Sequence, residues 1–195
     1  MTNVNNKVPE PNNDFTIAGY YSEFNLGGSD TPHRGGGFLA GYNRDLYRLG
    51  PVTIGAQGRY SFSSGTAKLD EEGNASQAHL HFITGGPRVQ VRLISNLFLQ
   101  GSYTLGVGVL EGPKVQLNPK LSPVPTTGFG IVPANLEGGL CYIRSSLGLC
   151  LIAGYAYSYF PGATSSNSFA HTTTGESLGT STEEKKLGAS LMMRW

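Results

Sequence analysis

The sequence is short of charge, of cysteine and of long hydrophobic runs. Only 14% of its 195 residues are charged, against roughly 25% in an average soluble domain. The formal net charge is +1, so the chain lacks the strong electrostatic field that attracts nucleic acid. It has no run of about 20 apolar residues, and its mean hydropathy is −0.17, which excludes a helical membrane protein.

Glycine, tyrosine and strict alternation are what the sequence does have, with 28 Gly and 10 Tyr. The clearest alternation runs from residue 147 to residue 160, and a period of two predicts a β-strand. One face carries large apolar groups: Leu147, Leu149, Leu151, Ala153, Tyr155, Tyr157 and Tyr159. The other face is mostly small: Gly148, Cys150, Ile152, Gly154, Ala156 and Ser158.

The stretch before it, residues 129–144, alternates in the same way. Its apolar face is predicted to hold Val132, Ala134, Leu136, Leu140 and Tyr142. The opposite face is predicted to hold Phe129, Ile131, Pro133, Asn135, Glu137, Gly139 and Cys141. Pro133 cannot donate a ladder hydrogen bond, so we expect a β-bulge there.

A tight turn at Ser145-Ser146 would pair these two strands as a hairpin. Cys141 then lies opposite Cys150, on the same face that the alternation gives for both. Directly opposite residues are close enough for a disulfide, so we predict a Cys141–Cys150 bond. Such a bond suits an oxidising compartment such as the periplasm.

The two faces decide which way the sheet is turned. A soluble barrel would turn its apolar face inward and cover its outside with charge, which this sequence does not have. The simpler arrangement puts the apolar side chains outside against lipid and the small and polar ones inside.

The same alternation predicts eight strands, which together form a closed, antiparallel, up-and-down transmembrane β-barrel. Residues 15–195 are predicted to be this single outer-membrane barrel domain, and the polar residues 1–14 to be a disordered N-terminal segment. The predicted strands are residues 15–24, 37–46, 52–62, 79–93, 97–109, 129–144, 147–160 and 185–195.

The connections alternate between short and long, which is the outer-membrane arrangement, with short turns periplasmic and long loops extracellular. Polar outward loops are the natural surface for an extracellular ligand or protein partner. The short connections lie near residues 47–50, 95–96 and 144–146. The long ones are residues 26–36, 63–77, 110–127 and 161–183.

One strand has an internal irregularity. Gly85-Gly86-Pro87 interrupts residues 79–93, and we expect a bulge there because proline cannot donate to a ladder. A bulge of this kind reverses the alternation, so the faces of Leu80, His81 and Phe82 stay open.

In this pattern the chain resembles the eight-stranded bacterial outer-membrane barrels, such as the transmembrane domain of outer membrane protein A. Members of that family end on an aromatic residue, more often Phe than Trp, after alternating apolar residues that the barrel-assembly machinery reads. Here those positions are Leu187, Ala189, Leu191, Met193 and Trp195. The resemblance implies a monomer in the bacterial outer membrane, with the lipid bilayer, lipopolysaccharide and the assembly machinery as partners, and no cofactor.

The predicted interior is charged. An eight-stranded barrel is just wide enough for side chains to fill, so charges inside must pair. We expect a plugging ion-pair network, while a narrow anion-favouring channel for small solutes stays open, because positive charges outnumber negative ones. The predicted network consists of Asp45, Arg59, Arg88, Arg92, Glu137, Lys186 and Arg194.

Catalytic and metal sites are not predicted. His33, His79, His81 and His171 are expected as exposed histidines near the loop rim, without the acidic or cysteine neighbours of a metal site. Some outer-membrane barrels modify lipid A, but no histidine here has the matching serine two residues on. The predicted role is structural, adhesive or surface-binding through the loops, with a lipid A-modifying enzyme as a further alternative.

Overall fold

The computed structural model describes residues 12–26, 31–68, 75–115, 127–161 and 180–195. Each strand pairs antiparallel with the next, and the last strand pairs with the first, so the sheet closes into the predicted eight-stranded barrel. The strands are β1 (Asn13–Leu26), β2 (His33–Leu49), β3 (Val52–Lys68), β4 (Ala75–Ile94), β5 (Leu97–Val115), β6 (Thr127–Arg144), β7 (Leu147–Phe160) and β8 (Thr180–Arg194). In this described part of the chain, no helix is long and apolar enough to cross a membrane.

Most strands are longer than the sequence predicts. β3 continues to Lys68 instead of residue 62, and β8 begins at Thr180 instead of residue 185. The strands have 14 to 20 residues, whereas about 9–11 tilted residues cross a bilayer. The sheet therefore extends beyond the membrane on the side of the long connections, which we call the loop end. The opposite side is the turn end.

The predicted orientation of the two faces is confirmed. Large apolar side chains lie exposed on the outside, with Leu149, Leu151 and Leu187 all more than 60% exposed. Their neighbours along the strands, such as Cys150, Ile152 and Lys186, are buried inside. This arrangement is stable only where the surroundings are themselves apolar, because exposed leucines gain nothing from water.

Three tight turns join the strands at the turn end, centred on Gly50-Pro51, Ser95-Asn96 and Ser145-Ser146. Gly50 has a φ of 58°, which glycine adopts without steric cost. Ser145 has a φ of 56° in the hairpin between β6 and β7. In that hairpin Cys141 lies opposite Cys150, and the predicted disulfide is confirmed, with a Cα–Cα distance of 4.0 Å.

The bulge expected at Pro133 is present, but it changes the faces above it. The register between β6 and β7 shifts between Ile131 and Ala134. Val132 is consequently buried inside, while Phe129 and Ile131 are exposed outside, so the predicted faces of these three residues are wrong. The extra residue moves every side chain beyond it to the other side of the sheet.

The bulge expected at Gly85-Gly86-Pro87 is absent. The register between β3 and β4 runs unbroken from Val52 to Lys68, with Pro87 opposite Ala56. The alternation therefore continues, which puts Leu80 and Phe82 inside. The register shifts that involve β4 lie nearer its ends, at Gln77/His79 and Arg92/Ile94.

The N-terminal prediction meets the structure at only a few residues. Residues 1–11 lie outside the described part of the chain, but Asn13 and Asp14 already belong to β1. The backbone N–H of Asn13 donates to the carbonyl of Trp195 at 3.1 Å, and the N–H of Trp195 donates back at 3.0 Å. These two bonds are at the seam between the first and the last strand.

Candidate functional site

A cluster of four charges fills the interior at the turn end. Arg88 on β4 is 2% exposed, and its guanidinium bonds both oxygens of Asp14, with Nη2 2.9 Å from Oδ2 and Nη1 3.3 Å from Oδ1. Arg88 Nη2 also donates to Asp45 Oδ1 at 2.8 Å. Arg194 Nη2 lies 3.9 Å from Asp14 and 4.0 Å from Asp45. The arginine fork thus joins the carboxylates of β1 and β2, as its geometry favours.

A second ion pair crosses the lumen. Arg59 on β3 and Glu137 on β6 are separated by two strands, and Arg59 Nη1 lies 2.6 Å from Glu137 Oε1. Both side chains are almost completely buried. Gly41 leaves the space that the arginine stem occupies, because a Cβ at that position would lie 2.8 Å from Arg59 Cγ.

A third polar cluster surrounds Glu184, which is fully buried. Its Oε1 accepts hydrogen bonds from Ser22, at 2.7 Å, and from Ser63. Its Oε2 lies 3.0 Å from Lys186 Nζ. The same Lys186 ammonium lies 5.1 Å from the centre of the Tyr20 ring, a cation–π distance. Every charge in this cluster has an opposite charge beside it.

The lumen at the loop end is filled by apolar side chains, which we call the loop-end cluster. Its members come from β1, β4, β5, β6 and β7, so the cluster extends across the lumen between opposite walls. They are Phe24, Leu26, Ala78, Leu80, Phe82, Leu110, Val132, Ala156 and Phe160, all buried. These apolar side chains pack beside the Glu184 cluster, because Glu184 lies opposite Phe24 and the Lys186 ammonium lies 5.5 Å from the centre of the Phe82 ring.

Several interior amides and hydroxyls have no protein partner in the described residues. They include both polar side-chain atoms of Gln57, Oε1 of Gln100, Nε2 of Gln90 and Oγ of Ser190. Buried polar groups of this kind are normally hydrogen-bonded to ordered water. The polar part of the lumen is therefore suited to hold water below the loop-end cluster.

The structure brings together most of the charged residues predicted for the interior, and adds two. Asp45, Arg88 and Arg194 meet in one cluster, and Arg59 meets Glu137. Lys186 instead pairs with Glu184, which the sequence analysis placed outside the predicted strands. The prediction that Arg92 lies inside is wrong: it is exposed at the turn end beside a register shift between Arg92 and Ile94, and its guanidinium lies 5.5 Å from the Phe98 ring centre.

The predicted excess of interior positive charge is wrong, because Asp14 and Glu184 are also inside. Among the described residues, the four buried carboxylates and the four cations beside them balance. These are Asp14, Asp45, Glu137 and Glu184, with Arg59, Arg88, Lys186 and Arg194. The charge argument for an anion-favouring channel is therefore lost.

The histidines do not form a metal site. In the described residues, no group of three His, Cys, Asp or Glu side chains could hold a metal ion. His33 is buried and stacks on Phe24 with ring centres 5.3 Å apart, so the expectation that it is exposed is wrong. His79 and His81 lie on the outside of β4, and His171 lies outside the described residues.

One polar chain does reach the outer surface. The Tyr60 hydroxyl lies 2.8 Å from His81 Nδ1, and His81 Nε2 lies 3.9 Å from Glu111 Oε1. The Phe62 ring centre is 4.9 Å from that of His81. Aromatic and histidine side chains at this position are typical of the boundary between lipid and water.

The outside of the barrel also has a shallow groove of about 750 Å³ over β4 to β7. Gly101, Gly138 and Ala153 form its floor as directly opposed neighbours on three strands. Tyr103 and Tyr155 form part of its wall. The groove opens away from the lumen, so it contacts whatever surrounds the barrel.

The predicted assembly residues of β8 all point outward. Leu187, Leu191 and Trp195 are exposed, and the Trp195 ring centre lies 6.4 Å from that of Tyr42. Ala189 and Met193 share the same face. This face is the one a recognition factor or the lipid would meet.

No protein-family model matches the chain, and no curated protein matches it. Among solved structures it is similar to Ail, the attachment invasion locus protein of Yersinia pestis, in complex with the heparin analogue sucrose octasulfate. That match has 14% identity and a TM-score of 0.50, over 94% of this chain and 99% of Ail. Neisserial surface protein A matches at 12% identity and a TM-score of 0.52, over 93% of this chain and 96% of that one. The outer membrane enzyme PagL matches at 10% identity and a TM-score of 0.42, over 92% and 98%. The chain has the fold of the small eight-stranded outer-membrane β-barrels.

Proposed function

We propose that the protein is an integral outer-membrane barrel with a filled interior, which presents its long loops as an adhesive or binding surface. The apolar exterior supports the membrane assignment, because a closed outer surface of leucine, valine and tyrosine matches the hydrocarbon of a lipid bilayer. The observation that carries the role is the filled lumen. Because the interior of such a barrel is occupied, its outward loops are the surface that can bind other molecules.

The filled lumen has two parts that each oppose conduction. The cross-lumen pair of Arg59 and Glu137 occupies the middle of the barrel with desolvated charge. The loop-end cluster lies above it and carries no polar group to replace the hydration of an ion. We therefore expect no stable conductance.

A small-solute channel is the second candidate, and the unpartnered amides of Gln57 and Gln100 are the observation that favours it. Hydrated groups inside a barrel are the beginning of a water path. Planar bilayer recording of the purified protein separates the two. Flat current traces support the filled barrel. Discrete current steps reject the filled interior, and steps that survive Gln57→Leu show that the current takes a path other than the one beside Gln57.

Catalysis is not supported by the described residues. Tyr60, His81 and Glu111 form a connected chain, but the groups lie at an exposed surface without an arranged oxyanion site. We propose no reaction for it. An unchanged lipid A mass spectrum in cells that produce the protein agrees with this, and a shift in mass would return the enzyme to consideration.

The test of the binding role removes loops and keeps the barrel. Residues 162–179, the longest connecting segment, are replaced by a short Gly-Ser linker in one variant, and residues 69–74 are replaced in the same way in a second variant. Attachment of producing cells to host-cell or matrix surfaces is measured beside a heat-modifiability gel that reports the folded barrel. We expect attachment to fall in at least one variant that still folds. The proposal is contradicted if the unmodified protein attaches no better than cells without the protein, or if both folded variants attach as well as the unmodified protein.

The ligand of Ail does not transfer. Its heparin analogue is an anion, whereas the connecting segments outside the described residues are acidic by sequence. Asp30, Asp70, Glu71, Glu72 and Glu176 stand there against a single cation, Lys120. We expect the loops to bind neutral or cationic partners.

A further inference from the structure

Among the described residues, the exposed charged side chains at the turn end are all arginines. Arg44 and Arg48 lie on β2, six and two residues before the Gly50-Pro51 turn, Arg92 lies before the β4–β5 turn, and Arg144 lies before the β6–β7 turn. All four side chains are exposed. Each of the three hairpins at this end therefore carries at least one exposed arginine, and we call this set the arginine rim.

No exposed side-chain carboxylate accompanies the arginine rim in the described residues. The two carboxylates at this end, Asp14 and Asp45, are buried and already paired with Arg88. The exposed side chains of Glu111 and Glu183 and the partly exposed side chain of Glu23 lie toward the other end of their strands. The positive charge of the arginine rim is therefore not neutralised by any side-chain carboxylate in the described part of the chain.

The arginine rim also directly borders the apolar exterior. Tyr42 is two residues from Arg44 on the same face of β2, and Tyr142 stands in the same relation to Arg144. Both tyrosines are about half exposed. This order of apolar side chains, aromatic rings and then arginines is the one expected across a bilayer surface. The aliphatic stems of the arginines lie in the lipid, and their guanidinium groups reach the headgroups.

We propose that the arginine rim binds the phosphate groups of anionic phospholipids in the leaflet that faces the short turns. Guanidinium matches phosphate with two parallel hydrogen bonds, which an ammonium does not. A basic group near an anionic membrane surface raises binding roughly fivefold. Several such groups around the barrel select anionic over zwitterionic lipid in the annulus and hold the barrel at a fixed depth.

This inference rests on the membrane location in the proposed function. One residue allows lipid binding by the arginine rim to be tested separately from the membrane location. Trp195 is the single tryptophan of the chain. Its ring lies 6.4 Å from that of Tyr42, and its backbone bonds to Asn13, which is paired with Arg44 on the adjacent strand. Trp195 fluorescence therefore reports which lipids touch the barrel beside the arginine rim.

The protein is folded into phosphatidylcholine vesicles that contain either brominated phosphatidylglycerol or brominated phosphatidylcholine at equal fraction. Bromine on an acyl chain quenches only tryptophan that it contacts. We expect the brominated phosphatidylglycerol to quench at least threefold more effectively, with the difference reduced in 0.5 M NaCl, because salt screens exposed charges. A heat-modifiability gel in pure phosphatidylcholine tests membrane folding by itself.

The rim variant is Arg44→Gln, Arg48→Gln and Arg144→Gln together. Its matched control removes three cations at the loop end: Arg34→Gln, Lys68→Gln and Lys185→Gln. We expect the lipid preference to fall to near unity in the rim variant and to stay in the control. If the triple rim variant does not fold, Arg48→Gln and Arg144→Gln are measured singly, and each should lower the preference.

Three results overturn the inference. The first is equal quenching by the two lipids in the unmodified protein, and the second is a preference that survives the rim variant. The third is full suppression of the preference by millimolar inorganic phosphate or by soluble peptidoglycan fragments, since this would assign the rim to a soluble anion. A protein that folds in phosphatidylcholine but shows no preference rejects the arginine rim alone, whereas failure to fold in any vesicle rejects the membrane location.

Discussion

The cross-lumen ion pair makes the sharpest prediction about stability. Arg59→Met leaves Glu137 without its partner, and Glu137→Gln leaves Arg59 buried and unpaired, because the two atoms that bond lie 2.6 Å apart and both side chains are almost completely buried. Removing one member of such a pair lowers the free energy of unfolding by about 3–5 kcal/mol. Replacing both by uncharged groups of similar volume is often close to neutral.

The double variant should therefore be far more stable than the sum of the single changes implies. We expect a coupling free energy of at least about 2 kcal/mol from the double-mutant cycle. The measurement is urea unfolding of the barrel in short-chain phosphatidylcholine vesicles, followed by Trp195 fluorescence and by gel mobility, with linear extrapolation to zero urea.

The exposed pair of Arg34 and Glu23 is the matched control. Its atoms lie 2.9 Å apart, but the arginine side chain is 63% exposed. The same cycle there should give a coupling below about 1 kcal/mol. Single costs at Arg59 and Glu137 that add to within about 0.5 kcal/mol would refute the reasoning, since independent sites behave that way.

Three further changes follow from the same structure. Cys141→Ser removes the hairpin disulfide, whose sequence separation is 9, and should lower unfolding free energy by about 2–3 kcal/mol; reduction of the unmodified protein should give the same loss in the same urea assay. Leu80→Ala, in the loop-end cluster, should lower the free energy of unfolding by about 2–5 kcal/mol, and a loss below about 1 kcal/mol would argue against a packed cluster. Leu136→Arg, on the outer face in the middle of β6 and half exposed, should cost about 2–4 kcal/mol in vesicles, while the same change showing no cost would mean that this face is not in hydrocarbon.

The alternation of residues was enough to predict the strand number, the closure and the orientation of the faces, because each strand has one clearly apolar side. Leu149 and Cys150 show why: neighbours in sequence differ in chemistry as sharply as lipid differs from lumen. The same rule failed at Val132, because the bulge at Pro133 moves the side chains beyond it to the opposite face of the sheet. A bulge has to be located to a single residue before the next face can be assigned.

The interior partners were harder to predict than the faces. Asp14 follows a polar segment and is therefore assigned by the sequence pattern to the disordered N-terminal residues. Glu184 lies where β8 extends beyond the predicted start of that strand. Which carboxylate meets which arginine depends on the relative height of strands that are not adjacent, such as β1 and β4. That height is set by the tilt of the whole sheet, which no local pattern reports.

The charge cluster at the turn end has a consequence for how the sheet becomes a cylinder. Asp14 comes from the first strand and Arg194 from the last, while Arg88 lies near the middle of the chain. Arg194 reaches Asp14 and Asp45 only when the two outermost strands meet, so the final joining event completes the cluster. A sheet that is still open at this seam would leave Arg194 without its carboxylate neighbours, so an apolar surrounding favours the closed cylinder.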